Sequence, residues 1–247
     1  MGRPISVLGV IPARLNSTRL PRKVLRSICG KPMVQHVYER ARRCDRLDEL
    51  VVATDSTEVL VACRSVGIPA ELTLAQHPSG TDRILEVLSR HDADLVVNIQ
   101  GDEPLLESAH LDALLVPFET DSDVLVSTLR VPMSAEEAKN PNAVKVVCDG
   151  RGNALYFSRW PIPYDRDASG RVAYFKHLGF YAYRRRAVEL FHTLSPSKLE
   201  LSERLEQLRF LENGVPIRVA DAPSATVGVD TEEDLLAVEQ ILLRNAA

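Results

Sequence analysis

Short apolar runs alternate with amphipathic stretches along the first 120 residues, and this alternation constrains the fold more than any other feature. The runs at 6–11, 50–54 and 95–99 have the length of buried strands. The stretches with apolar residues at helical spacing cover 33–44, 58–66, 81–91 and 109–118. This order of strands and helices predicts a mostly parallel sheet with helices on both faces. Such sheets bind ligands at the carboxyl ends of their strands.

The second half of the chain has a different pattern. Strand-like runs at 124–131, 144–148 and 154–157 follow one another closely, and the turn "CDGRGN" joins the last two, which predicts antiparallel pairing. The remaining predicted elements are a helix over 199–212, a strand over 216–221 and a helix over 231–244. We therefore expect one α/β domain over 1–247, with an antiparallel subdomain inserted over approximately 125–185.

Composition excludes several classes of function. The net charge of −4 argues against a nucleic-acid binder, which would carry a basic face. No run of residues has the length and apolarity of a membrane helix, and the N-terminus lacks the apolar core of a signal peptide. The four cysteines show no close spacing typical of a zinc or redox motif. We expect a cytoplasmic protein with reduced thiols and no membrane partner.

A basic segment follows the first predicted strand. The stretch "IPARLNSTRLPRK", residues 11–23, contains Arg14, Arg19, Arg22 and Lys23 and no acid. A loop in this position lies over the ligand crevice, where cations and the hydroxyls of residues 17 and 18 bind phosphate oxygens. The alternative is a solvated basic loop. Neither a P-loop nor a GxGxxG fingerprint is present, so the sequence favours a different triphosphate site.

Two acids also follow predicted strands. Asp102 comes after Gly101 in "LVVNIQGDEPLL", and Asp230 lies in "VGVDTEEDLL". Thr231 and Asp234 have the spacing of a capping box, which leaves Asp230 outside the helix. Carboxylates opposite a phosphate-binding loop predict a divalent-cation site. The alternative is that Asp102 only caps a turn. The DxD-like triplets at 92–94 and 121–123 precede strands, so we expect them to be surface loops.

Nine motifs, in order along nearly the whole chain, resemble the 3-deoxy-manno-octulosonate cytidylyltransferase family. They are "IPARLNSTRLPRK", "GKPMVQHVYERA", "HPSGTDR", "VNIQGDEPL", "NPNAVKVV", "ALYFSRWPIPY", "KHLGFYAYR", "LEQLRFLENG" and "GVDTEEDL". The resemblance implies a Rossmann-like three-layer α/β/α nucleotidyltransferase fold. It also implies transfer of CMP from CTP to 3-deoxy-D-manno-octulosonate (Kdo), a need for Mg²⁺, a role in lipopolysaccharide synthesis, and a cytoplasmic homodimer formed through the inserted subdomain.

The resemblance also implies roles for individual residues. The implied catalytic residues are Arg14, Lys23 and Asp102, and the implied Mg²⁺ ligands are Asp102 and Asp230. The implied nucleotide-binding residues are Arg14, Ser17, Lys23, Ser79, Gly80, Arg83 and Gln100. The implied sugar-binding residues are Gln100, Arg159, His177, Tyr181, Glu206 and Gln207. Arg159 has the donor geometry to bind a sugar carboxylate through two hydrogen bonds. Without the resemblance, His177 would be read as a core histidine, and Glu206 and Gln207 as an exposed helix face.

The chain departs from the family pattern at two places. Arg22 and Val24 flank Lys23 where the family usually has glycine and proline, and the loop over 164–176 is shorter than in many members. Other sugars, 8-amino-Kdo or sialate, define related activities. A nucleotide-sugar glycosyltransferase would need a DxD motif after a strand, which the sequence lacks. A nucleotide-binding regulator without catalysis is disfavoured by the presence of Lys23, Asp102 and Asp230.

Overall fold

The computed structural model describes residues 5–15, 17, 19–77 and 80–246, and it has the predicted α/β architecture. Its strands are β1 (Val7–Pro12), β2 (Ser27–Ile28), β3 (Lys31–Pro32), β4 (Glu49–Thr54), β5 (Ala70–Leu72), β6 (Leu95–Asn98), β7 (Val126–Met133), β8 (Lys145–Cys148), β9 (Ala154–Ser158), β10 (Tyr174–Arg184) and β11 (Ile217–Asp221). Its α-helices are α1 (Met33–Ala41), α2 (Thr57–Ser65), α3 (Gly80–Leu88), α4 (Ser108–Thr120), α5 (Arg185–Thr193), α6 (Lys198–Glu203), α7 (Leu208–Glu212) and α8 (Glu232–Ala246). Short 3-10 helices cover Lys23–Leu25 and Glu137–Lys139.

The described chain forms two compact units. The first contains the residues up to Asp112 and those from Thr226 onward. Its sheet has the strand order β6-β1-β4-β5, and every pair is parallel. The strands are buried apolar runs, as in Leu8, Val10 and Ile11 of β1. This confirms the prediction of a mostly parallel sheet from the alternating pattern.

The second unit spans Ala113–Ala225. Strand β10 pairs antiparallel with β7 and β8, and β8 pairs antiparallel with β9. Strand β11 pairs parallel with β7, from Ile217 opposite Val126 to Asp221 opposite Arg130. The antiparallel pairs lie within the part of the chain where the sequence predicts them. The boundaries of the inserted subdomain, approximately 125–185, stay a prediction.

The helix predicted over 199–212 is wrong as a single element. Helix α6 ends at Glu203 because Arg204 adopts a left-handed conformation, with φ 55°. Helix α7 begins only at Leu208. The buried guanidinium of Arg209 donates to both carboxylate oxygens of Glu200, at 2.8 and 2.5 Å. This ion pair holds α7 against α6, which a continuous helix would prevent.

The structure also contains a short hairpin that the sequence did not predict. Strands β2 and β3 pair antiparallel around Cys29 and Gly30, whose φ angles are 48° and 80°. Two successive residues with positive φ are typical of a tight hairpin turn. Ile28 in this hairpin is fully buried in a cluster with Met33 and Val238. Among the described helices, none combines the length and the apolar character needed to cross a membrane.

Candidate active site

The carboxyl ends of β1 and β6 lie side by side in the first unit. Val10 of β1 is opposite Asn98 of β6, so the two strands end at the same edge of the sheet. Gly101 follows β6, and a Cβ atom at this position would lie 2.7 Å from the carbonyl oxygen of Pro12. The absence of a side chain therefore lets the turn after β6 approach the end of β1. The next residue in this turn is Asp102.

Three distant segments meet at the side chain of Lys23. Its Nζ donates to Asp102 Oδ2 at 2.6 Å and to Asp230 Oδ1 at 3.0 Å. The backbone joins two of these segments as well, because the Val229 N–H donates to the Asp102 carbonyl at 2.9 Å. The structure therefore brings together the lysine and the two acids that the sequence analysis selected for the triphosphate and metal site.

Lys23 is largely buried, with 13% of its side chain exposed. Burial opposes the charged form of its ammonium group, but the adjacent carboxylates of Asp102 and Asp230 outweigh this effect and raise the pKa of Lys23. The lysine is therefore protonated at neutral pH. Phosphate oxygens could replace the two carboxylates as partners of the ammonium group. A metal ion could in turn replace the ammonium group as the partner of the carboxylates.

The capping prediction for α8 is confirmed. Asp234 Oδ2 accepts from the Thr231 N–H at 2.9 Å, and Thr231 Oγ1 accepts from the Asp234 N–H at 3.2 Å. Because Asp234 and Thr231 satisfy the helix start, the carboxylate of Asp230 takes no part in capping. It contacts Lys23 and also Arg19, at 3.0 Å.

The donor set suits Mg²⁺. In the part of the chain that the structure describes, no group of three or more His, Cys, Asp or Glu side chains could hold a metal ion by itself. Asp102 and Asp230 supply two carboxylates that meet at one point. Mg²⁺ commonly binds to one or two protein carboxylates and completes its shell with water and substrate phosphates. These two residues would therefore hold the ion together with a bound triphosphate.

Some cations in and just after the basic segment pair with acids from elsewhere in the first unit. Arg22 pairs with Glu58, and Arg26, three residues after the segment ends, pairs with Glu232. These two arginines therefore have charged partners without a bound phosphate. Arg14 differs, because it is exposed and forms no ion pair with the residues that the structure describes. Its positive charge is close enough to Arg83 to lower the pKa of that side chain, an effect smaller than those of Arg83's burial and of Asp55.

Arg22 has an unusual backbone conformation directly before Lys23. Its φ and ψ of 57° and 31° place it in the left-handed region, which glycine adopts more readily than arginine. The structure thus gives a physical reason why a glycine would suit this position. The pair with Glu58 helps to hold Arg22 there.

The other predicted nucleotide-binding residues have distinct surroundings. Arg83 is fully buried and donates to Asp55 at 2.9 Å and to Thr73, while no described residue accepts from its Nε. Gly80 begins α3, and a Cβ atom there would meet open space. Gln100 is half-buried, with Nε2 3.5 Å from Asn98 Oδ1. Ser17 is half-buried in the loop after β1. Ser79 lies outside the described residues.

Asp55 and Thr73 were missed by the sequence analysis. Asp55 directly follows β4, and Thr73 directly follows β5. They hold the guanidinium of Arg83 at the carboxyl edge of the sheet. The signal was available for Asp55, because an acid at the end of a buried parallel strand is the same pattern that selected Asp102.

His177 and Tyr181 lie on β10 in the second unit. Burial lowers the pKa of His177 to about 3, so the ring is neutral. Its Nε2 lies 2.9 Å from Thr128 Oγ1, and its ring packs against Phe157 at 5.0 Å. The Tyr181 hydroxyl is buried and makes no hydrogen bond of good geometry in the described part of the chain, although the side chain of Thr128 lies close to it. An unpartnered buried hydroxyl suits a polar ligand.

The remaining predicted sugar-binding residues also lie in the second unit. Gln207 is buried, so the reading of an exposed helix face is wrong for it, and its Nε2 has no partner among the described residues. Glu206 is exposed. Arg159 follows β9, and its Nε and Nη1 donate to the carbonyls of Glu203 and Pro141 at 2.8 and 3.1 Å. Glu203 was missed because its contacts come from the unpredicted end of α6.

The two DxD-like triplets serve the fold. Asp94 Oδ2 accepts from the backbone N–H of Ser6 at 2.9 Å, beside the start of β1. Asp121 pairs with Arg218 at 3.0 Å within the second unit. Both triplets lie in loops before a strand, as predicted, and neither contributes to the acid pair at Lys23.

Comparisons with known proteins agree with the resemblance drawn from the nine sequence motifs. Residues 8–218 match the model of a family described as "Cytidylyltransferase". The chain is 59% identical to the 3-deoxy-manno-octulosonate cytidylyltransferase of Acidobacterium capsulatum, over 97% of each chain. It is 55% identical to the protein of the same name from Koribacter versatilis, over 96% of this chain and 90% of that one.

Solved structures extend the comparison to the fold. A CMP:2-keto-3-deoxy-manno-octonic acid synthetase complexed with CTP is 44% identical to this chain, with a TM-score of 0.94, covering 97% of this chain and 99% of that one. A 4-diphosphocytidyl-2C-methyl-D-erythritol synthase from Anaerococcus prevotii is 13% identical, with a TM-score of 0.64 and 97% of each chain covered, and shares the fold alone.

Proposed function

Because the chain belongs to the 3-deoxy-manno-octulosonate cytidylyltransferase family, we propose that it transfers CMP from CTP to Kdo and releases pyrophosphate. The observation that carries this proposal is the high identity to curated relatives of that name along nearly the whole chain. The site geometry supports it, because Lys23, Asp102 and Asp230 form a charged cluster at the carboxyl edge of the sheet. The product, CMP-Kdo, would supply lipopolysaccharide synthesis.

The reaction exchanges a phosphoanhydride bond for a phosphate ester bond. The 2-hydroxyl oxygen of Kdo forms a bond to the α-phosphorus of CTP, and the bond from this phosphorus to the oxygen shared with the β-phosphate breaks. Pyrophosphate leaves with the electron pair, and the hydroxyl proton passes to solvent. Catalysis of such transfers depends mainly on positioning and on stabilising charge.

In the nucleotide half, Lys23 has the central role. Its protonated ammonium would turn from the two aspartates to the phosphate oxygens of CTP and stabilise their charge. Arg14, exposed and without an ion pair to the described residues, adds a second cation. Ser17, Gly80, Arg83 and Gln100 complete the proposed nucleotide contacts.

Asp102 and Asp230 would hold Mg²⁺. The ion, when bound, neutralises phosphate charge and makes the α-phosphorus more susceptible to attack. Each aspartate is oriented before the ion binds, because both contact Lys23 and the Asp102 carbonyl is fixed by the Val229 N–H. The carboxylates therefore need little rearrangement to accept it.

In the sugar half, Arg159 would bind the carboxylate of Kdo. Its Nε and Nη1 are held by protein carbonyls, while its Nη2 has no partner among the described residues. The buried Tyr181 hydroxyl and Gln207 Nε2 lack protein partners in the same part of the chain and suit sugar hydroxyls. His177, neutral and buried beside Tyr181, would shape this pocket, and Glu206 would add a polar contact.

We also propose a cytoplasmic homodimer. Leu155, Trp160 and Tyr164 are 62%, 76% and 82% exposed within ten residues of the second unit, and three exposed apolar side chains so close in sequence suit a contact with a second copy. A reducing compartment is consistent with Cys29, Cys44, Cys63 and Cys148, which are all free thiols.

The test is pyrophosphate release from CTP by the purified protein in the presence of Mg²⁺. Parallel reactions contain Kdo, 8-amino-Kdo, sialic acid or no sugar. We expect release with CTP and Kdo together and little without sugar. Faster turnover of 8-amino-Kdo or sialic acid would assign the enzyme to that sugar, and no release with any sugar acid would overturn the proposal.

A further inference from the structure

Two charged residues outside the predicted site contact Arg159, the residue proposed to bind the substrate carboxylate. We propose that Lys145 and Glu203 are positioning residues that orient Arg159, and that they thereby set the affinity for the sugar acid. This inference rests on the proposed function and on the assignment of Arg159 to the Kdo carboxylate. All the residues that carry it belong to the second unit.

Glu203 contacts Arg159 at two points. The Glu203 carboxylate accepts from the Arg159 backbone N–H at 2.9 Å and from Ser158 Oγ at 2.7 Å. In the opposite direction, Arg159 Nε donates to the Glu203 backbone carbonyl at 2.8 Å. The main chain and the side chain of Arg159 are therefore both fixed to one residue.

The end of α6 makes this second contact available. The last carbonyls of a helix have no partner within the helix. Glu203 is the last residue of α6, and the left-handed conformation of Arg204 turns the chain away immediately afterwards. The Glu203 carbonyl can thus accept from a guanidinium. The break between α6 and α7 has a consequence for binding, since a continuous helix would occupy this carbonyl with its own hydrogen bond.

Lys145 fixes the other side of the same arginine. It lies on β8, is fully buried, and donates from Nζ to the Arg159 carbonyl at 2.5 Å and to the Asn140 carbonyl at 3.0 Å. The residue after Asn140, Pro141, provides the carbonyl that accepts from Arg159 Nη1. Lys145 therefore ties together the two backbone segments that border the guanidinium.

The charge of Lys145 has no direct carboxylate partner in the described chain. A buried ammonium bound only to carbonyls is costly, and an apolar side chain would fill the same space without that cost. Burial lowers the pKa of Lys145, and the more distant charge of Glu203 acts in the opposite direction. The hydrogen bonds of the Lys145 ammonium offer a reason for its presence, because one of them holds Arg159 in place.

The arrangement leaves one edge of the guanidinium for a ligand. Nε and Nη1 each have a protein acceptor, and Nη2 has none among the described residues. An arginine fixed in this way loses little side-chain entropy when a carboxylate binds. If either side chain is removed, the main chain of Arg159 and the carbonyls that accept from its guanidinium are held less firmly. The guanidinium then keeps its charge but is less well oriented, so the loss falls on sugar binding and not on nucleotide binding.

The test is a double-mutant cycle with steady-state kinetics. The single variants are Lys145→Met, Glu203→Ala and Arg159→Ala, and the double variants combine each of the first two with Arg159→Ala. Lys139→Met is the matched control, because Lys139 is exposed and pairs with Glu136 near Lys145 in the chain. The KM for Kdo, the KM for CTP, kcat and the melting temperature are measured for each.

We expect Lys145→Met and Glu203→Ala each to raise the KM for Kdo about tenfold, the effect of losing one or two hydrogen bonds, with the KM for CTP unchanged. In the Arg159→Ala background neither should change the KM for Kdo further, because both act through Arg159. Lys139→Met should behave as wild type. If Lys145→Met fails to fold, the Glu203→Ala cycle decides.

Three outcomes separate the possible failures. A wild-type protein that does not use Kdo overturns the proposed function itself. An Arg159→Ala variant with the wild-type KM for Kdo overturns the assignment of Arg159 and this inference with it. An unchanged KM for Kdo in a folded Lys145 or Glu203 variant, or an equal increase when Arg159 is already removed, overturns the positioning roles alone.

Discussion

At the scale of single residues, Lys23 links the chemistry of the site to its stability. In the absence of substrate it neutralises Asp102 and Asp230, which would otherwise repel each other at the same edge of the sheet. The same ammonium is the cation proposed to bind the phosphate oxygens of CTP. One side chain therefore keeps the two carboxylates close together and would also contribute to phosphate binding. Single variants of Lys23 and Asp102 test these two roles separately.

Lys23→Ala should mainly impair CTP use. Losing a charge-assisted contact to phosphate costs about 2 kcal/mol, so we expect kcat/KM for CTP to fall about thirtyfold. Lys31→Ala is the control, because Lys31 belongs to the same basic region but pairs with Glu39 on the surface. An unchanged kcat/KM in Lys23→Ala would mean that the lysine serves only its ion pairs.

Asp102→Asn should remove most activity and leave the fold intact. The amide keeps the size of the side chain, while the charge that would hold Mg²⁺ is lost, so we expect kcat to fall at least about a hundredfold. The measurement is a Mg²⁺ titration of turnover, together with the rise in melting temperature caused by Mg²⁺ plus CTP. Asp92→Asn, in the loop before β6, is the control. Near-normal turnover at low Mg²⁺ would exclude Asp102 as a ligand.

His177 should make the protein less stable in acid. Burial lowers its pKa to about 3 from 6.5, so below pH 6.5 the unfolded chain binds a proton that the folded chain does not. Stability contributed by the neutral ring is present above pH 6.5 and is lost as pH falls, by about 2 kcal/mol between pH 7 and pH 5. Urea unfolding should show this loss in the wild type, and His177→Gln should lack it.

His91 provides the control of opposite sign. Burial disfavours its charged form, but Glu71 and Glu49 outweigh burial and raise its pKa. Its contribution to stability is therefore complete below pH 6.5 and is lost as pH rises through the raised value. His91→Gln should steepen the acid loss, whereas His177→Gln should reduce it. Equal pH dependence in all three proteins would contradict both assignments.

At the scale of elements, the break between α6 and α7 is the clearest case of tertiary structure overriding local sequence. Residues 199–212 contain neither glycine nor proline before Asn213, so nothing local predicts a stop. The stop depends on Arg209 reaching back to Glu200, a contact that no periodicity reveals. The strands of the parallel sheet were predictable for the opposite reason, because their apolar runs are buried on both faces and need no partner to be recognised.

Arg204→Gly should stabilise the protein. Glycine adopts the left-handed conformation of Arg204 without the steric cost that other residues incur, so we expect a gain of about 0.5 to 1 kcal/mol in the free energy of unfolding. In a continuous helix the same change would cost about 1 kcal/mol. Urea unfolding gives the sign, and Ser202→Gly, inside α6, is the control that should destabilise. A destabilised Arg204→Gly would contradict the break.

At the scale of the whole molecule, the strand pattern and the family resemblance predicted different parts of the candidate site. The pattern of strands indicates which edge of the sheet carries loops, and it was sufficient to select Lys23 and Asp102. Asp230 was also expected to follow a strand, but residues 222–229 form none, and Asp230 instead directly precedes the capped start of α8. The proposed sugar-binding residues were identified only from the resemblance, because nothing in the local sequence marks buried polar side chains such as Tyr181 and Gln207. Lys145 and Glu203 were missed because each contacts an arginine that is distant in sequence, whereas Asp55 follows a buried strand and could have been selected by the same pattern as Asp102.

Assembly is the remaining property at this scale. We expect the wild-type protein to sediment with twice the mass of one chain, because Leu155, Trp160 and Tyr164 expose large apolar surfaces that association would cover. Trp160→Glu places a charge where the partner would pack, and burying an unpaired charge is costly, so this variant should sediment as a single chain.

Leu74→Glu is the matched control, because Leu74 is 68% exposed and lies in the first unit, outside the inserted region. Sedimentation is measured across a hundredfold range of concentration, with a melting curve for each protein. A wild type of single-chain mass throughout would overturn the dimer, and a Trp160→Glu variant that keeps the double mass would place the contact elsewhere on the surface.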